Sequence, residues 1–213
     1  MPSLIYSHIQ LYRSAMNLLY AGGYRQRFQH VIDLLGAVPT ASVCDLCFGD
    51  TVIAEWCAAH DVRWTGVDIN PHFCARARRR GYRVIEGDLL SVDLPASDAF
   101  VMAGSLYHFN DRLPALFDAV WQRSSRWILS EPVRNLSSSG GVVGRWARRS
   151  ANPGDRHAAF RFNEESLLEM LRDQQRRHGF TCRVVSSDRD MLVVMERPGA
   201  DSRAGGPALE SHR

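Results

Sequence analysis

The sequence lacks several features that would have pointed to particular classes of protein. No apolar segment is long enough to span a bilayer, and none near the N-terminus has the form of a signal peptide. The five cysteines are an odd number and lie mostly in apolar stretches, which favours free buried thiols over disulfides. Lysine is absent, and a formal net charge of +3 carried by scattered arginines is too small to indicate nucleic acid by itself. We therefore expect a cytoplasmic protein with no membrane partner.

What is present fits one α/β domain with additional segments. The chain has 213 residues, and its hydrophobic content of 45% is enough for a core that needs no disulfides. Strand-like runs alternate with helical patterns, which favours a parallel sheet with helices on both faces. A hairpin-like pair of runs closes the pattern, and the last of its strands is expected to be antiparallel. The runs that predict a seven-stranded, mostly parallel sheet are residues 42–47, 63–67, 82–86, 98–103, 126–132, 181–187 and 190–196.

Segments outside this pattern divide the chain into domains. Residues 1–38 show helical spacing and predict an N-terminal helical cap, whose tyrosines either pack on the sheet or line a substrate pocket as a lid. Residues 39–197 form the α/β domain. Within it, residues 134–157 are rich in Gly, Ser and Arg, and are either a functional lid or a disordered surface loop. Residues 198–213 are polar and predict a disordered tail.

Polar residues recur where the predicted strands end. Residues 42–51 combine a buried strand, a loop bearing Gly49 and the start of a helix, an order that builds sites for anionic or nucleotide-like ligands. The next strand ends on Asp68, whose carboxylate is suited to accept hydrogen bonds from both hydroxyls of a ribose. Asp88, Ser105 and Glu131 follow or end later strands. Ligands of parallel α/β sheets bind outside the carboxyl ends of the strands, so these positions predict one site.

Four stretches resemble the motifs of the class I, Rossmann-like S-adenosylmethionine-dependent methyltransferases, over roughly residues 40–197. Residues 43–49, 66–70, 86–89 and 98–109 look like the first to fourth motifs, and the closing hairpin is similar to the family's antiparallel last strand. The resemblance implies that Asp68 holds the ribose and that Asp88 lies beside the adenine amino group. The implied cofactor is S-adenosyl-L-methionine, and the implied cofactor-binding residues are Asp45, Cys47, Phe48, Gly49, Asp50, Asp68, Ile69, Asp88, Leu89 and Ser105.

The first motif departs from the family pattern, because Cys47 and Thr51 replace glycines and only Gly49 remains. Since glycine allows positive φ, this predicts a wider or differently bent loop. Asp45 and Asp50 are expected to compensate by facing the ammonium and the sulfonium of the cofactor. Phe48 is expected to pack against neighbouring helices, and Cys47 to reduce the room around the methionine tail. The alternative is a site that has decayed or binds another ligand.

The Cys44-x-x-Cys47 pair is a weak metal or redox signal. It has no second pair and no histidine cluster nearby, and two cysteines three apart in one strand would point to opposite faces. We expect no metal site.

The chemistry of methyl transfer needs few dedicated residues, because a methyl group on a sulfonium is already electrophilic. The candidate catalytic residues are Tyr107 and His108, just past the fourth strand, and Glu131, which ends the fifth. His108 could instead be a packed histidine, and Glu131 could instead cap Asn135 and the following backbone. The candidate substrate-binding residues are Tyr6, Tyr12, Trp146 and Arg161.

These observations lead to three functional hypotheses. The first is a methyltransferase acting on a small aromatic or otherwise apolar metabolite, as a monomer or homodimer. The second is a cofactor-binding or scaffold protein of the same fold without methyl transfer, suggested by the depleted glycine loop. The third is an RNA methyltransferase, suggested by the arginine-rich segment and a pI near 8.7, although the chain shows no appended RNA-binding domain.

Overall fold

The computed structural model describes residues 24–134 and 160–198. Its helices and strands follow one another as the sequence pattern predicts, with boundaries shifted by one or two residues. The helices are α1 (Tyr24–Gly36), α2 (Val52–Ala59), α3 (Pro71–Arg79), α4 (Leu113–Trp121) and α5 (Glu164–His178). The strands are β1 (Ser42–Leu46), β2 (Arg63–Asp68), β3 (Arg83–Glu86), β4 (Ala99–Ala103), β5 (Arg126–Pro132), β6 (Thr181–Ser187) and β7 (Asp190–Glu196).

The strands form one seven-stranded sheet in the order β3-β2-β1-β4-β5-β7-β6. β1 to β5 are parallel, whereas β7 runs antiparallel between β5 and β6. The chain order reverses beside β1, so the carboxyl ends of β1 and β4 flank the switch point at which ligands of such sheets bind. This confirms the predicted fold, including the antiparallel last strand.

Alternating side chains of the central strands enter two cores, one on each face of the sheet. Val43, Val101 and Ile128 pack with α1, α2 and α3 on one face. Cys44, Phe100 and Leu129 pack with α4 and α5 on the other. Helices therefore cover both faces, as the alternation of strands and helices predicted.

Local sequence signals set the ends of the helices. The side chain of Asn70 accepts a hydrogen bond from His72 N at 2.9 Å, and Pro71 occupies the first turn of α3. Asn163 and Ser166 form a reciprocal capping box at the start of α5, and Gly179 ends that helix in a left-handed conformation with φ +67°.

Helix α1 packs against β4, β5, β7 and α2, so this part of the predicted N-terminal cap belongs to the helical layer of the α/β domain. The remainder of that cap, the segment 135–159 and the tail from residue 199 lie outside the described residues. The division into domains therefore stays a prediction.

The expectation that Cys44 and Cys47 point to opposite faces is wrong. Both pack against the same core, on the side of α4 and α5. Cys47 lies past the end of β1 with φ +55°, and this left-handed residue breaks the alternation of a strand.

Candidate functional site

The loop between β1 and α2 keeps two left-handed residues. Cys47 has φ +55° and Gly49 has φ +53°, and the amide of Cys47 donates to Val67 O at 2.7 Å. Thr51 has φ −95°, a conformation that needs no glycine. Cys47 itself adopts the conformation that glycine favours, at a cost of roughly 1 kcal/mol, so the replacement of glycine at this position does not by itself require a differently bent loop.

The Asp68 carboxylate, at the carboxyl end of β2, accepts hydrogen bonds from two backbone amides. Its Oδ2 accepts from Gly49 N at 3.0 Å and its Oδ1 accepts from Asn70 N at 2.8 Å. Burial raises the pKa of the Asp68 carboxyl, and backbone hydrogen bonds from Asn70, Gly49 and Ile69 partly offset that rise. A carboxylate offers about four acceptor positions, so the group retains capacity for further donors.

Asp45 and Asp50 are both buried and have partners within the protein. Asp45 is 2% exposed and accepts from Trp64 Nε1 at 3.3 Å, and burial raises its pKa well above the usual value. Asp50 is 1% exposed, accepts from Thr51 N at 2.8 Å and lies 3.6 Å from Arg76 Nη1. The roles expected of both residues toward the ammonium and the sulfonium stay predictions.

Phe48 packs under the loop, in agreement with the expected packing. Its ring meets that of Trp64 edge to face at a centroid distance of 5.3 Å, and both belong to the core formed with α2 and α3. Gly66 makes this contact possible, because a Cβ there would collide with the Trp64 ring and lie 2.7 Å from Phe48 Cδ1.

The residues after β2 and β3 differ in exposure. Ile69 is 70% exposed, next to the buried Asp68. Asp88 is half-buried, accepts from Leu90 N at 3.2 Å and lies 3.3 Å from Arg112 Nη1. Leu89 is 3% exposed and packs into the core on the side of α4 and α5, so the structure does not bring its side chain to the ligand edge.

A 3-10 turn (Leu106–Phe109) follows β4 and carries two of the candidate catalytic residues. It begins at Ser105, whose carbonyl accepts from His108 N at 3.2 Å. The rings of Tyr107 and His108 lie 3.9 Å apart, with Tyr107 half-buried and His108 exposed. The guanidinium carbon of Arg161 lies 3.6 Å from the centre of the Tyr107 ring. The structure thus joins Arg161 to the candidate catalytic residues.

Glu131 at the end of β5 is fully buried, and its Oε2 accepts from Leu106 N at 3.0 Å. Its Oε1 has no hydrogen-bond partner among the described residues. Burial raises the pKa of Glu131 to about 8, although hydrogen bonds from Leu106 and Tyr107 and the charge of Arg27 lower it. Glu131 therefore holds the turn after β4, and Asn135, which it was expected to cap, lies outside the described residues.

Sequence reasoning missed Arg27 and Asp190 beside Glu131. Arg27 Nε lies 2.9 Å from Asp190 Oδ2, and the Arg27 side chain is 6% exposed. Arg27 falls on the apolar face of α1, together with Tyr24, Phe28 and Val31. A charged residue within a helix's apolar stripe was the available signal, since an arginine there needs a buried partner.

Three predicted substrate-binding residues, Tyr6, Tyr12 and Trp146, lie outside the described residues. In the part of the chain from 24 to 134 and from 160 to 198, no group of three or more His, Cys, Asp or Glu side chains is arranged to hold a metal ion. No helix in those same ranges is both long and apolar enough to cross a membrane.

Comparison with known proteins agrees with this geometry. Residues 43–124 match the family model described as a methyltransferase domain, whereas no curated protein matches the chain. The methyltransferase domain of bacterial CtHen1 is similar in structure, with a TM-score of 0.63, 16% identity, and coverage of 81% of this chain and 98% of that one.

Two further solved structures have the same fold. Magnesium protoporphyrin IX methyltransferase from Synechocystis with bound SAH has a TM-score of 0.59 and 20% identity, over 82% of this chain and 84% of that one. Human N-acetylserotonin methyltransferase in complex with SAM has a TM-score of 0.55 and 15% identity, over 84% of this chain and 59% of that one.

The sheet order and the matched domain define a class I, Rossmann-like methyltransferase fold. The chain therefore has the fold of S-adenosylmethionine-dependent methyltransferases, and residues 43–124 carry the match to a methyltransferase domain.

Proposed function

We propose that this protein is a methyltransferase that uses S-adenosyl-L-methionine and acts on a small aromatic or otherwise apolar metabolite. The observation that carries the proposal is the cluster at the carboxyl ends of β4 and β5. There the half-buried Tyr107 ring lies against Arg161, and Tyr107 and Phe160 pack at the rim of the core. Aromatic walls with a few polar groups are typical of pockets that bind small, flat or apolar ligands.

The residues present at the loop and at the end of β2 fit the cofactor. Asp68 presents a buried carboxylate with remaining acceptor capacity for the ribose hydroxyls, and the exposed Ile69 beside it offers an apolar surface for the adenine. Gly49 and Cys47 bring the backbone of the loop toward the amino acid part, and Asp88 and Ser105 complete the proposed set. When bound, the cofactor supplies a methyl group on a sulfonium.

Glu131, Tyr107 and His108 are the proposed catalytic residues of this chain. Glu131 holds the backbone of the turn through Leu106 N, and its second oxygen is a buried acceptor. His108 is exposed on the same turn, where it can remove a proton from the substrate group that receives the methyl group. Tyr107 and Arg161 orient an aromatic substrate by stacking.

The arrangement of arginines favours a small molecule over RNA. Three of the four arginines at the end of α3 and just beyond it have acidic partners within the fold: Arg76 with Asp50, Arg78 with Glu86, and Arg80 with Glu55. Such pairing reduces the positive charge available to phosphates. A scaffold protein without methyl transfer is less favoured, because Cys47 and Gly49 in the loop after β1 both adopt left-handed conformations, although Cys47 replaces a glycine of the family pattern.

A transfer assay tests the proposal directly. The protein is incubated with methyl-labelled S-adenosylmethionine and a panel of phenols, aromatic amines and aromatic acids, beside a parallel panel of small RNAs. We expect labelled product from at least one aromatic compound and a gel shift for none of the RNAs at physiological salt. Labelled RNA with unlabelled metabolites would overturn the choice of substrate class. Cofactor binding without any product would favour the scaffold alternative.

A further inference from the structure

Arg27 connects four elements beneath the proposed methyl-transfer site. It extends from α1, its Nε lies 2.9 Å from Asp190 Oδ2 at the start of β7, and its Nη2 donates to Ser130 O in β5 at 3.4 Å. The guanidinium also covers Gly104 at the end of β4, because a Cβ on Gly104 would collide with Nη2 and lie 2.8 Å from Nη1.

Gly104 and Asp190 are themselves tied to β5. Gly104, with φ +73°, donates from its amide to Ser130 O at 2.7 Å. Ser130 Oγ donates to Asp190 Oδ2 at 3.3 Å. Arg27 and Gly104 therefore share the carbonyl of Ser130 as acceptor, one residue before Glu131. Any displacement of the Arg27 guanidinium acts on the backbone from which both Glu131 and the turn after β4 emerge.

We propose that Arg27 is a positioning residue that, paired with Asp190, holds Glu131 and residues 104–107 in place at the methyl-transfer site. The proposal rests on the proposed role of Glu131. Arg27 is 8% exposed within the chain and acts through Glu131 and the turn rather than on the substrate.

The charged groups around Glu131 give this arrangement a distinct signature. Arg27 on α1 favours the ionised carboxylate, Asp190 on β7 opposes it, and backbone hydrogen bonds from Leu106 and Tyr107 on the turn favour it. Removing Arg27 and removing Asp190 should therefore shift the titration of Glu131 in opposite directions. A loss of packing alone, acting only through the burial of Glu131, would shift both in the same direction or neither.

Arg126 provides a matched control that connects three of these four elements, α1, β5 and β7. It too is a buried arginine: its Nη2 donates to Leu34 O in α1 at 3.0 Å, and its Nε lies 3.2 Å from Glu196 Oε1 in β7. It begins β5 at the opposite edge of the sheet, whereas Glu131 lies near the end of that strand. Replacing Arg126 thus weakens comparable contacts without touching the surroundings of Glu131.

The test follows the protonated carboxyl stretch of Glu131 by infrared difference spectroscopy against pH, with the band assigned by its loss in Glu131→Gln. We expect the midpoint to rise by about one pH unit in Arg27→Gln, to fall in Asp190→Asn, and to stay near the parent value in Arg27→Lys and Arg126→Gln. An unchanged midpoint in folded Arg27→Gln would overturn the proposal. If Arg27→Gln does not fold, the direction of the shift in Asp190→Asn decides.

This readout needs neither substrate nor turnover. Calorimetry of S-adenosylmethionine binding on the same variants is expected to give affinities within about threefold of the parent, because Asp68 and the loop after β1 are untouched. A failed methyl transfer with the expected infrared shifts would reject the proposed substrate class and leave the positioning role standing. Methyl transfer to an aromatic compound without the infrared shifts would support the proposed substrate class and reject the positioning role of Arg27.

Discussion

The guanidinium carbon of Arg161 lies 3.6 Å from the centre of the Tyr107 ring, which joins the segment before α5 to the turn after β4. This distance is within the range of a strong cation–π contact. The contact fixes the half-exposed tyrosine at the edge of the sheet where the substrate is proposed to bind. It also makes residues 160–163 part of the site, although they follow β5 only after a long intervening segment.

The Arg161–Tyr107 contact predicts an energetic coupling. In a double-mutant cycle of Arg161→Leu and Tyr107→Leu, we expect a coupling free energy of about 0.5–2 kcal/mol in urea unfolding. The matched cycle uses Arg176→Leu, an exposed arginine on α5 whose Nη2 lies 3.3 Å from Asp173 Oδ1. It should show coupling to Tyr107→Leu below about 0.3 kcal/mol. Equal coupling in the two cycles would contradict a specific contact.

Cys47→Gly is expected to stabilise the protein by roughly 1 kcal/mol, because Cys47 has φ +55° and glycine adopts this conformation without strain. Calorimetry should show cofactor affinity at least equal to that of the parent. The converse variant, Gly49→Ala at φ +53°, should lose a similar amount in chemical unfolding. A large loss of cofactor affinity in Cys47→Gly would mean that the thiol itself contributes to binding.

Asp68→Asn is expected to weaken S-adenosylmethionine binding roughly 100-fold, because about 3 kcal/mol of hydrogen bonding to a charged acceptor is lost. Isothermal calorimetry measures the change. Asp98→Asn is the matched control, since Asp98 Oδ2 also accepts backbone amides, from Ala41 and Ser42, but at the opposite edge of the sheet. Asp98→Asn should lower stability without changing affinity by more than about twofold.

Glu131→Gln should change how stability depends on pH. The pKa of Glu131 is about 8 in the folded protein, against an ordinary value of 4.5. Because the folded pKa is raised, the stabilisation from this group is complete below pH 4.5 and is lost as the pH rises toward 8. Relative to Glu131→Gln, the parent should lose up to about 5 kcal/mol across that interval.

Urea unfolding at several pH values between 5 and 8.5 measures this difference. The control is Glu164→Gln, which makes the same chemical change at an exposed glutamate in the first turn of α5, outside the core. A difference between the parent and Glu131→Gln that does not vary with pH would contradict the raised pKa.

Gly66→Ala should destabilise the protein by about 1–3 kcal/mol, because the added methyl group would overlap the Trp64 ring and press on Phe48. Tryptophan fluorescence and thermal unfolding would report the displaced ring and the lost stability. Gly36→Ala is a suitable comparison, since a Cβ there would meet Trp56 Cζ2 at an ordinary 3.5 Å. Equal stability in the two variants would show that Trp64 and Phe48 can move apart without cost.

Much of the fold followed from the sequence. Alternation of apolar runs with helical periods predicted all seven strands, and Asn70 and Asn163 marked the helix starts at which the structure finds them. These signals are local, because a capping side chain acts within three residues and a strand's alternation reflects only its own two faces. The position of Asp68 at a strand end was predictable for the same reason.

The partners of the acidic side chains could not be predicted from local sequence signals. Asp45 is bonded to Trp64 and Asp50 lies beside Arg76, and neither pairing has a signature in local spacing. Cys47 was expected to change the loop, yet neighbouring contacts hold it in the conformation that glycine would adopt. Packing of separate elements outweighed local preference at this position.

The sequence by itself determined the order of strands and helices, the residues at the strand ends and the edge at which a ligand is proposed to bind, because periodicity and chain direction set all three. Only the tertiary structure decided that Arg27 from α1 and Asp190 from β7 meet beneath Gly104, and that Glu131 holds the turn carrying Tyr107. Those contacts depend on how helices pack across a sheet, where residues far apart in the chain share one buried and weakly screened environment.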